Sequence, residues 1–184
     1  MTEFIMVRHG EPDYTIVNEW AKIDIAKNFA PLTDNGIAQI KETILDLQDE
    51  NADIIITSPF TRCMQGACMM SKALNLEVYV EHNLHEWELD TTHSVRRKHA
   101  IKHLLWQFNN KSWTPKSKWE NPADVKKRIL ETLDKYLKYD KVIVSCHAMV
   151  ILYTLGDKEP TQYGKIRRFY YDGKQIKESN EHDN

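Results

Sequence analysis

The sequence predicts an α/β fold, a three-layer α/β/α sandwich with a mainly parallel central sheet. Short runs of β-branched residues, such as Ile54-Ile55-Ile56, alternate along the chain with longer segments whose apolar residues recur at helical spacing. That alternation is typical of a parallel sheet covered by helices on both faces. The length of 184 residues allows one sizeable core rather than two. We therefore expect residues 1–184 to form a single domain.

The strands are predicted from short apolar runs that are bounded by turn-forming or polar residues. They are expected at residues 4–7, 54–57, 77–80 and 142–145. Two further segments, 167–171 and 175–177, flank an Asp-Gly dipeptide, which favours a tight turn between antiparallel strands. A β-hairpin is therefore expected to close the sheet.

Three segments show the apolar periodicity of amphipathic helices. The first covers residues 33–47, with Thr33 or Asp34 as its N-cap. The second covers residues 60–74 and opens directly after a predicted strand, and the third covers residues 122–137. Because strands and helices alternate, we expect these helices to pack on both faces of the sheet.

Composition sets the class of protein and excludes some partners. The formal net charge of −2 argues against an overall attraction to nucleic acid. No apolar run approaches the roughly 18 residues that span a membrane, and residues 4–7 are too short for the core of a signal peptide. We therefore expect a cytoplasmic protein with neither a nucleic-acid nor a membrane partner. Cys63, Cys68 and Cys146 include no close CxxC pair, and we expect them to be free thiols.

Unusual side chains follow three of the predicted strands. Arg8-His9-Gly10 follows the first, Arg62 comes shortly after the second, and His147 follows strand 142–145. Ligands of parallel α/β sheets bind beyond the carboxyl ends of the strands, where these side chains would meet. Each has an ordinary explanation when taken alone, as a surface histidine, a solvated arginine or a buried core histidine. Two imidazoles and two guanidinium groups without a carboxylate cluster together predict a phosphate site rather than a metal site.

Five blocks, in chain order, resemble the motifs of the histidine phosphatase superfamily, which includes the cofactor-dependent phosphoglycerate mutases. They span most of the chain, so the resemblance is more specific than any single motif. The first three are Val7-Arg8-His9-Gly10-Glu11, which resembles the nucleophile motif, residues 32–39, which match LTxxGxxQ, and residues 57–65, which resemble SSPxxRxxQ. The last two are Leu84-His85-Glu86, which resembles the proton-donor segment, and Val144-Ser145-Cys146-His147-Ala148, which resembles the second histidine motif.

The resemblance implies a metal-independent phosphatase that needs no cofactor and acts through a phosphohistidine. In such a cycle His9 attacks the phosphoryl group of a small phosphorylated metabolite, while Arg8, Arg62 and His147 bind its oxygens. Glu86, when protonated, donates to the leaving oxygen and then activates the water that hydrolyses the intermediate. Because His9 must be neutral and Glu86 protonated, we expect a bell-shaped activity profile around mildly acidic to neutral pH.

The sequence departs from the family's motifs at three points. Many relatives continue from the nucleophile motif toward Trp-Asn, where this chain has Tyr-Thr, so Thr15 is a candidate phosphate ligand in place of an amide. Ala148 replaces the usual glycine after the second histidine. The glycines that commonly follow the family's glutamate are absent, which makes Glu88 an alternative proton donor. We prefer Glu86 because Leu84 fixes the register of the motif.

Residues 81–120 differ from the rest of the chain, with four of the five tryptophans and five of the eight histidines. We interpret them as a small cap insertion that selects the substrate. Three alternatives stay open: a phosphoglycerate-mutase-like transferase, which would usually carry longer insertions; a degenerate member that binds a phosphorylated ligand without turnover; and a metal-dependent hydrolase. The last would use His99 and His103, whose spacing of four residues can bind zinc on a helix. Neither the substrate nor the oligomeric state follows from the sequence.

Overall fold

The computed structural model describes residues 1–15, 17, 24–88, 91 and 119–178. Its strands are β1 (Thr2–Arg8), β2 (Ile54–Thr57), β3 (Val78–Val80), β4 (Lys141–Cys146), β5 (Ile166–Tyr171) and β6 (Ile176–Glu178). They form one sheet in the order β3-β2-β4-β1-β5-β6. β1 to β4 run parallel to one another, whereas β5 and β6 are paired antiparallel at one edge. The predicted mainly parallel sheet and its closing hairpin are confirmed.

The α-helices of the described residues are α1 (Asp34–Leu47), α2 (Thr61–Leu74), α3 (Pro122–Leu133) and α4 (Ala148–Leu155). Short 3₁₀ helices cover Asp24–Phe29, His82–Leu84 and Asp134–Tyr136. α1 begins after Thr33, whose hydroxyl accepts a hydrogen bond from the Gly36 amide at 2.9 Å. Asn121 caps α3 in the same way, by accepting from the Ala123 amide at 3.0 Å. None of the helices in the described part of the chain is long and apolar enough to cross a membrane.

Two helices differ from the expectation. The sequence does not predict α4, because its eight residues, AMVILYTL, are apolar on almost every side and show no amphipathic period. Such a helix is buried, and Val150 and Ile151 are both fully buried in the core. The helix expected at residues 122–137 ends at Leu133, because the chain tightens there into the 3₁₀ turn Asp134–Tyr136.

Alternate residues of β1, one of the two innermost strands of the sheet, face opposite layers of helices. Phe4 and Met6 belong to the apolar cluster that includes residues of α3 and α4. Ile5 and Val7 belong to a second cluster, with residues of α1 and α2. All four of these strand residues are fully buried, which explains why the strand is a continuous apolar run. The predicted three-layer α/β/α architecture is confirmed.

Most of the segment that we interpret as a cap, residues 81–120, lies outside the described residues, as do His99 and His103. Its two ends are described, and they lie together. The Glu120 amide donates to the Glu88 carbonyl at 2.9 Å, and the Trp87 indole donates to the Glu120 carbonyl at 2.7 Å. The chain therefore leaves and re-enters the described body at one place. The cap itself, and the assignment of residues 1–184 to a single domain, stay predictions.

Candidate active site

Three neighbouring parallel strands, β2, β4 and β1, end at one edge of the sheet and bring distant residues together. Main-chain hydrogen bonds fix this edge: the His9 amide donates to the Cys146 carbonyl at 3.1 Å, and the Ser58 amide to the Ser145 carbonyl at 3.0 Å. The rings of His9 and His147 then lie with their centroids 5.2 Å apart. The strand ends therefore meet as the sequence predicts.

The partners of His9 decide which ring nitrogen carries the hydrogen. Nδ1 lies 2.6 Å from the Gly10 carbonyl oxygen, which only accepts, so Nδ1 is the protonated nitrogen. Nε2 therefore keeps a lone pair, and this lone pair accepts a hydrogen bond from Nε of Arg62 at 3.1 Å. The His9 residue is only 3% exposed. Nε2 is thus the atom available for nucleophilic attack, and a guanidinium group lies directly beside it.

Arg62 connects the two imidazoles. Its Nη2 lies 3.3 Å from Nδ1 of His147, and its Nη1 donates to the Lys27 carbonyl at 3.0 Å. Because a guanidinium group only donates, Nδ1 of His147 must be the acceptor. The hydrogen of neutral His147 then lies on Nε2, where the Ser58 hydroxyl accepts it at 2.8 Å. These contacts describe a site in which both imidazoles are neutral.

Burial keeps the two imidazoles neutral. It is the largest cause that lowers the pKa of His9 and of His147 well below 6.5, and the charge of Arg62 acts in the same direction. The carbonyl of Gly10 opposes this shift at His9, since it favours the protonated ring. The lone pair of His9 is therefore available below the ordinary histidine pKa of 6.5.

Arg8 supplies the second guanidinium group of the cluster. Its Nη1 donates to the Thr161 carbonyl at 2.6 Å, and its Cζ lies over the Tyr163 ring, 3.8 Å from the ring centroid. The Tyr163 ring also lies 5.6 Å from that of His9. Nε of Arg8 is buried without a hydrogen-bond partner, which is costly for a charged donor. An anionic oxygen bound here would satisfy it.

Glu86 is a carboxyl group whose pKa is affected by the charges of Arg62 and Arg8. Burial raises its pKa above 4.5, although the Trp87 amide and the charges of Arg62 and Arg8 act to lower it. The amide lies 2.9 Å from Oε1 of Glu86. A carboxyl group whose pKa is raised in this way is suited to proton donation. The main-chain amide and carbonyl of Glu88, the alternative donor, both bond to Glu120. The choice of Glu86 over Glu88 stays a prediction.

No described contact brings Thr15 into this cluster. Its side chain is exposed, and its amide and hydroxyl both donate to Oδ1 of Asp13, at 2.8 and 2.5 Å. The turn places a carboxylate beside the hydroxyl, and that negative charge would repel a phosphate. The assignment of Thr15 as a phosphate ligand stays a prediction.

Ser58 and Tyr163 contact the cluster, although neither was assigned a role from the sequence. Ser58 had a signal, since it directly follows a strand within the SSPxxRxxQ-like block. Tyr163 had none, because its contacts are made entirely through tertiary structure. Cys63 is also close, with Sγ 3.5 Å from Nε2 of His147, but burial raises the pKa of its thiol to about 12. A thiol in that state is a poor nucleophile.

Two glycines allow the backbone of Gly10 and Glu11, directly after His9 and here called the His9 loop, to lie close to the start of α1. A Cβ atom on Gly10 would lie 2.2 Å from the Gly36 carbonyl oxygen, and one on Gly36 would lie 2.3 Å from the Glu11 carbonyl oxygen. Gln39 of the same helix accepts from the Glu11 amide at 2.8 Å. Helix α1 therefore holds the backbone next to His9 in place.

We expect Gly36→Ala to damage both stability and activity. The added methyl must displace backbone, so we expect a loss of about 1–3 kcal/mol in the free energy of unfolding. The accompanying shift of His9 should lower kcat/KM for a phosphate ester by about 10²-fold. Denaturant unfolding and steady-state kinetics measure the two effects.

Gly66→Ala is the matched control for this change. Its new Cβ would lie 3.5 Å from Cδ1 of Ile40, an ordinary contact in the interior of α2. This variant should be as active as the wild type and at least as stable. Equal behaviour of the two variants would contradict the role given to the contact between the His9 loop and α1.

Within the described residues, no group of three or more His, Cys, Asp or Glu side chains is placed to hold a metal ion. The pair His99 and His103, on which the metal-dependent alternative depends, lies outside those residues. That alternative is therefore a question for experiment.

Known proteins resemble this chain in sequence and in fold. A sequence model of the histidine phosphatase superfamily (branch 1) matches residues 4–178. The uncharacterized phosphatase PhoE of Bacillus subtilis (strain 168) is 35% identical over 79 residues, which covers 42% of this chain and 38% of PhoE. Bacillus stearothermophilus YhfR superimposes with a TM-score of 0.76 at 17% identity, over 97% of this chain and 96% of its own. A phosphoglycerate mutase from Bacillus anthracis str. Sterne superimposes with a TM-score of 0.73 at 15% identity, over 97% and 91% of the two chains.

Proposed function

This chain belongs to the histidine phosphatase superfamily (branch 1), and from that premise we propose that it hydrolyses the phosphomonoester of a small metabolite through a phosphohistidine on His9. The observation that carries the proposal is the state of His9. Its Nδ1 is held by the Gly10 carbonyl, and its Nε2 keeps a lone pair beside Arg62. That is the state an imidazole needs to attack phosphorus.

In the first half-reaction Nε2 of His9 forms a bond to phosphorus as the bond to the ester oxygen breaks. Glu86 gives its proton to that departing oxygen, so the product leaves as an alcohol. The guanidinium groups of Arg8 and Arg62 stabilise the charge on the equatorial oxygens. Burial, and after it the charge of Arg62, holds the pKa of His147 low. The negative charge of the bound phosphate acts against both, so we expect His147 to become protonated and donate through Nδ1.

In the second half-reaction water attacks the phosphohistidine. The carboxylate of Glu86 now accepts a proton from this water, as the bond between phosphorus and Nε2 breaks. Inorganic phosphate leaves, and both Glu86 and His9 return to their starting states. The raised pKa of Glu86 supports both steps, because a carboxyl group that titrates nearer to the working pH can both donate and accept.

The likeness to a phosphoglycerate mutase over 97% of this chain keeps transfer to a second alcohol as an alternative. The two activities differ in where the phosphoryl group goes. A hydrolase releases inorganic phosphate in step with the alcohol, whereas a mutase returns the phosphoryl group to an alcohol and releases little. Measuring both products from the same phosphorylated metabolite separates them.

The proposal is tested by p-nitrophenyl phosphate hydrolysis at mildly acidic pH in the presence of a chelator. We expect sustained turnover and, on denaturing quench, a phosphorylated protein whose label is labile to acid and stable to alkali. Activity that the chelator abolishes would instead support the metal-dependent alternative. Tight binding of the ester without turnover would support the non-catalytic one.

A further inference from the structure

The main chain of the segment that carries Glu86 is bonded to one largely buried side chain, Arg128. Arg128 reaches from α3 and donates to the His85 carbonyl at 3.0 Å and to the Asn83 carbonyl, both through Nη1. Its Nε and Nη2 donate to the two carboxylate oxygens of Glu120 at 2.6 and 3.0 Å. The Arg128 and Glu120 side chains are only 12% and 13% exposed. Arg128 thus binds main chain just before Glu86 and, at the same time, the side chain of Glu120.

Glu120 binds the main chain on the other side of Glu86. Its carboxylate accepts from the Glu88 amide at 3.3 Å, and its own amide donates to the Glu88 carbonyl at 2.9 Å. Its carbonyl accepts from the Trp87 indole at 2.7 Å. Residues 83–88 are therefore bound before and after Glu86 by a single ion pair, Arg128–Glu120.

Glu86 itself depends on this main chain for its position. The described bond of its carboxyl group goes to the neighbouring Trp87 amide, at 2.9 Å from Oε1. A carboxyl group held by its own backbone moves when that backbone moves. A shift of about 1 Å in a catalytic group can cost about 10²-fold in rate.

We infer that Arg128, paired with Glu120, is a positioning residue that aims Glu86 at the leaving oxygen of the ester. The inference rests on the proposed function. A purely structural role fits the contacts less well, because a buried ion pair is weak support for stability and can often be replaced by apolar side chains. Arg128 instead donates to main-chain carbonyls just before Glu86 and to the Glu120 carboxylate. That carboxylate in turn accepts from the Glu88 amide, just after Glu86.

The test compares two esters that differ in how much they need a proton donor. Dinitrophenyl phosphate has a strongly acidic leaving group that departs without a proton, whereas phenyl phosphate needs one. The quantity measured is kcat/KM, because it covers only the steps up to departure of the phenol. Each protein is assayed at its own pH optimum, with Glu86→Gln showing the full effect of losing the donor.

We expect Arg128→Gln to lower kcat/KM for phenyl phosphate by about 10²-fold and to leave that for dinitrophenyl phosphate nearly unchanged. Lys127→Gln is the matched control, since it removes the same charge from the adjacent, 73% exposed side chain of α3. It should match the wild type on both esters. Arg128→Lys keeps the charge without the planar fork, and it carries the test if Arg128→Gln does not fold. We expect a smaller loss for it, again on phenyl phosphate alone.

Equal losses on the two esters, or none on either, would overturn the positioning role and leave the proposed function intact. A wild-type protein that is no faster than His9→Ala on dinitrophenyl phosphate would overturn the proposed function itself. The two failures are therefore distinguishable within one set of assays.

Discussion

Replacing His9 with alanine is expected to lower kcat/KM for an aryl phosphate by about 10⁵-fold or more, the scale on which loss of a nucleophile acts in other covalent mechanisms. Neither described neighbour, His147 or Cys63, is expected to take over the attack. With phosphate bound, we expect His147 to be protonated and to have no lone pair at Nδ1, and the Cys63 thiol is kept protonated by a pKa raised to about 12. The acid-labile phosphoprotein should disappear together with the turnover.

The binding of phosphate separates this loss from a loss of structure. Arg8, Arg62 and His147 remain in His9→Ala, so inorganic phosphate should still bind with an affinity close to that of the wild type. His82→Ala, which removes an exposed histidine outside the cluster, is the control and should keep full activity. Undiminished turnover by His9→Ala would refute the phosphohistidine mechanism.

The second large effect is expected from Glu86→Gln, which should lower kcat/KM for phenyl phosphate by about 10²–10⁴-fold. The glutamine keeps the size of the side chain and removes its proton. The pH profile should change as well. In the wild type, activity falls at low pH because His9 becomes protonated. This fall occurs below pH 6.5, the ordinary histidine pKa, because the pKa of His9 is lowered. Activity also falls at higher pH, because Glu86 loses its proton. This fall occurs above pH 4.5, the ordinary glutamate pKa, because burial raises the pKa of Glu86.

Only the alkaline limb of this profile belongs to Glu86, so Glu86→Gln should flatten that limb and keep the acidic one. The phosphate of the substrate titrates near pH ~6 in both proteins and cancels in the comparison. Glu88→Gln is the matched control, because it makes the same change in the alternative donor. A flattened alkaline limb in Glu88→Gln, with Glu86→Gln unchanged, would transfer the role to Glu88.

The main parts of the fold were predictable because each has a local cause. The β-branched runs and the amphipathic periods of α1 and α2 are visible in any short window of the sequence. α4 was not predictable in this way, because a helix buried on almost every side has no polar face to give it a period. Its structure is decided by the sheet and by α3, against which it packs.

The same distinction applies to the site. His9, Arg62 and His147 were predictable because parallel strands end at one edge of a sheet, wherever they lie in the chain. Arg128 and Tyr163 make tertiary contacts that no spacing in the sequence encodes. At Thr15 a local contact competes with the role that the motif implies. Asp13, two residues earlier, accepts hydrogen bonds from both the amide and the hydroxyl of Thr15.

The main-chain bond between Glu88 and Glu120 has a consequence for how members of this family can differ. Once the two ends of a loop are held together, the entropy of closing it depends only weakly on its length, at about 0.6 kcal/mol for each doubling. Closing a segment of another length between these two glutamates should therefore cost little stability. We expect a chimaera that joins a relative's segment at these two glutamates to fold as stably as the parent chain and, under the proposed function, to hydrolyse a different set of esters.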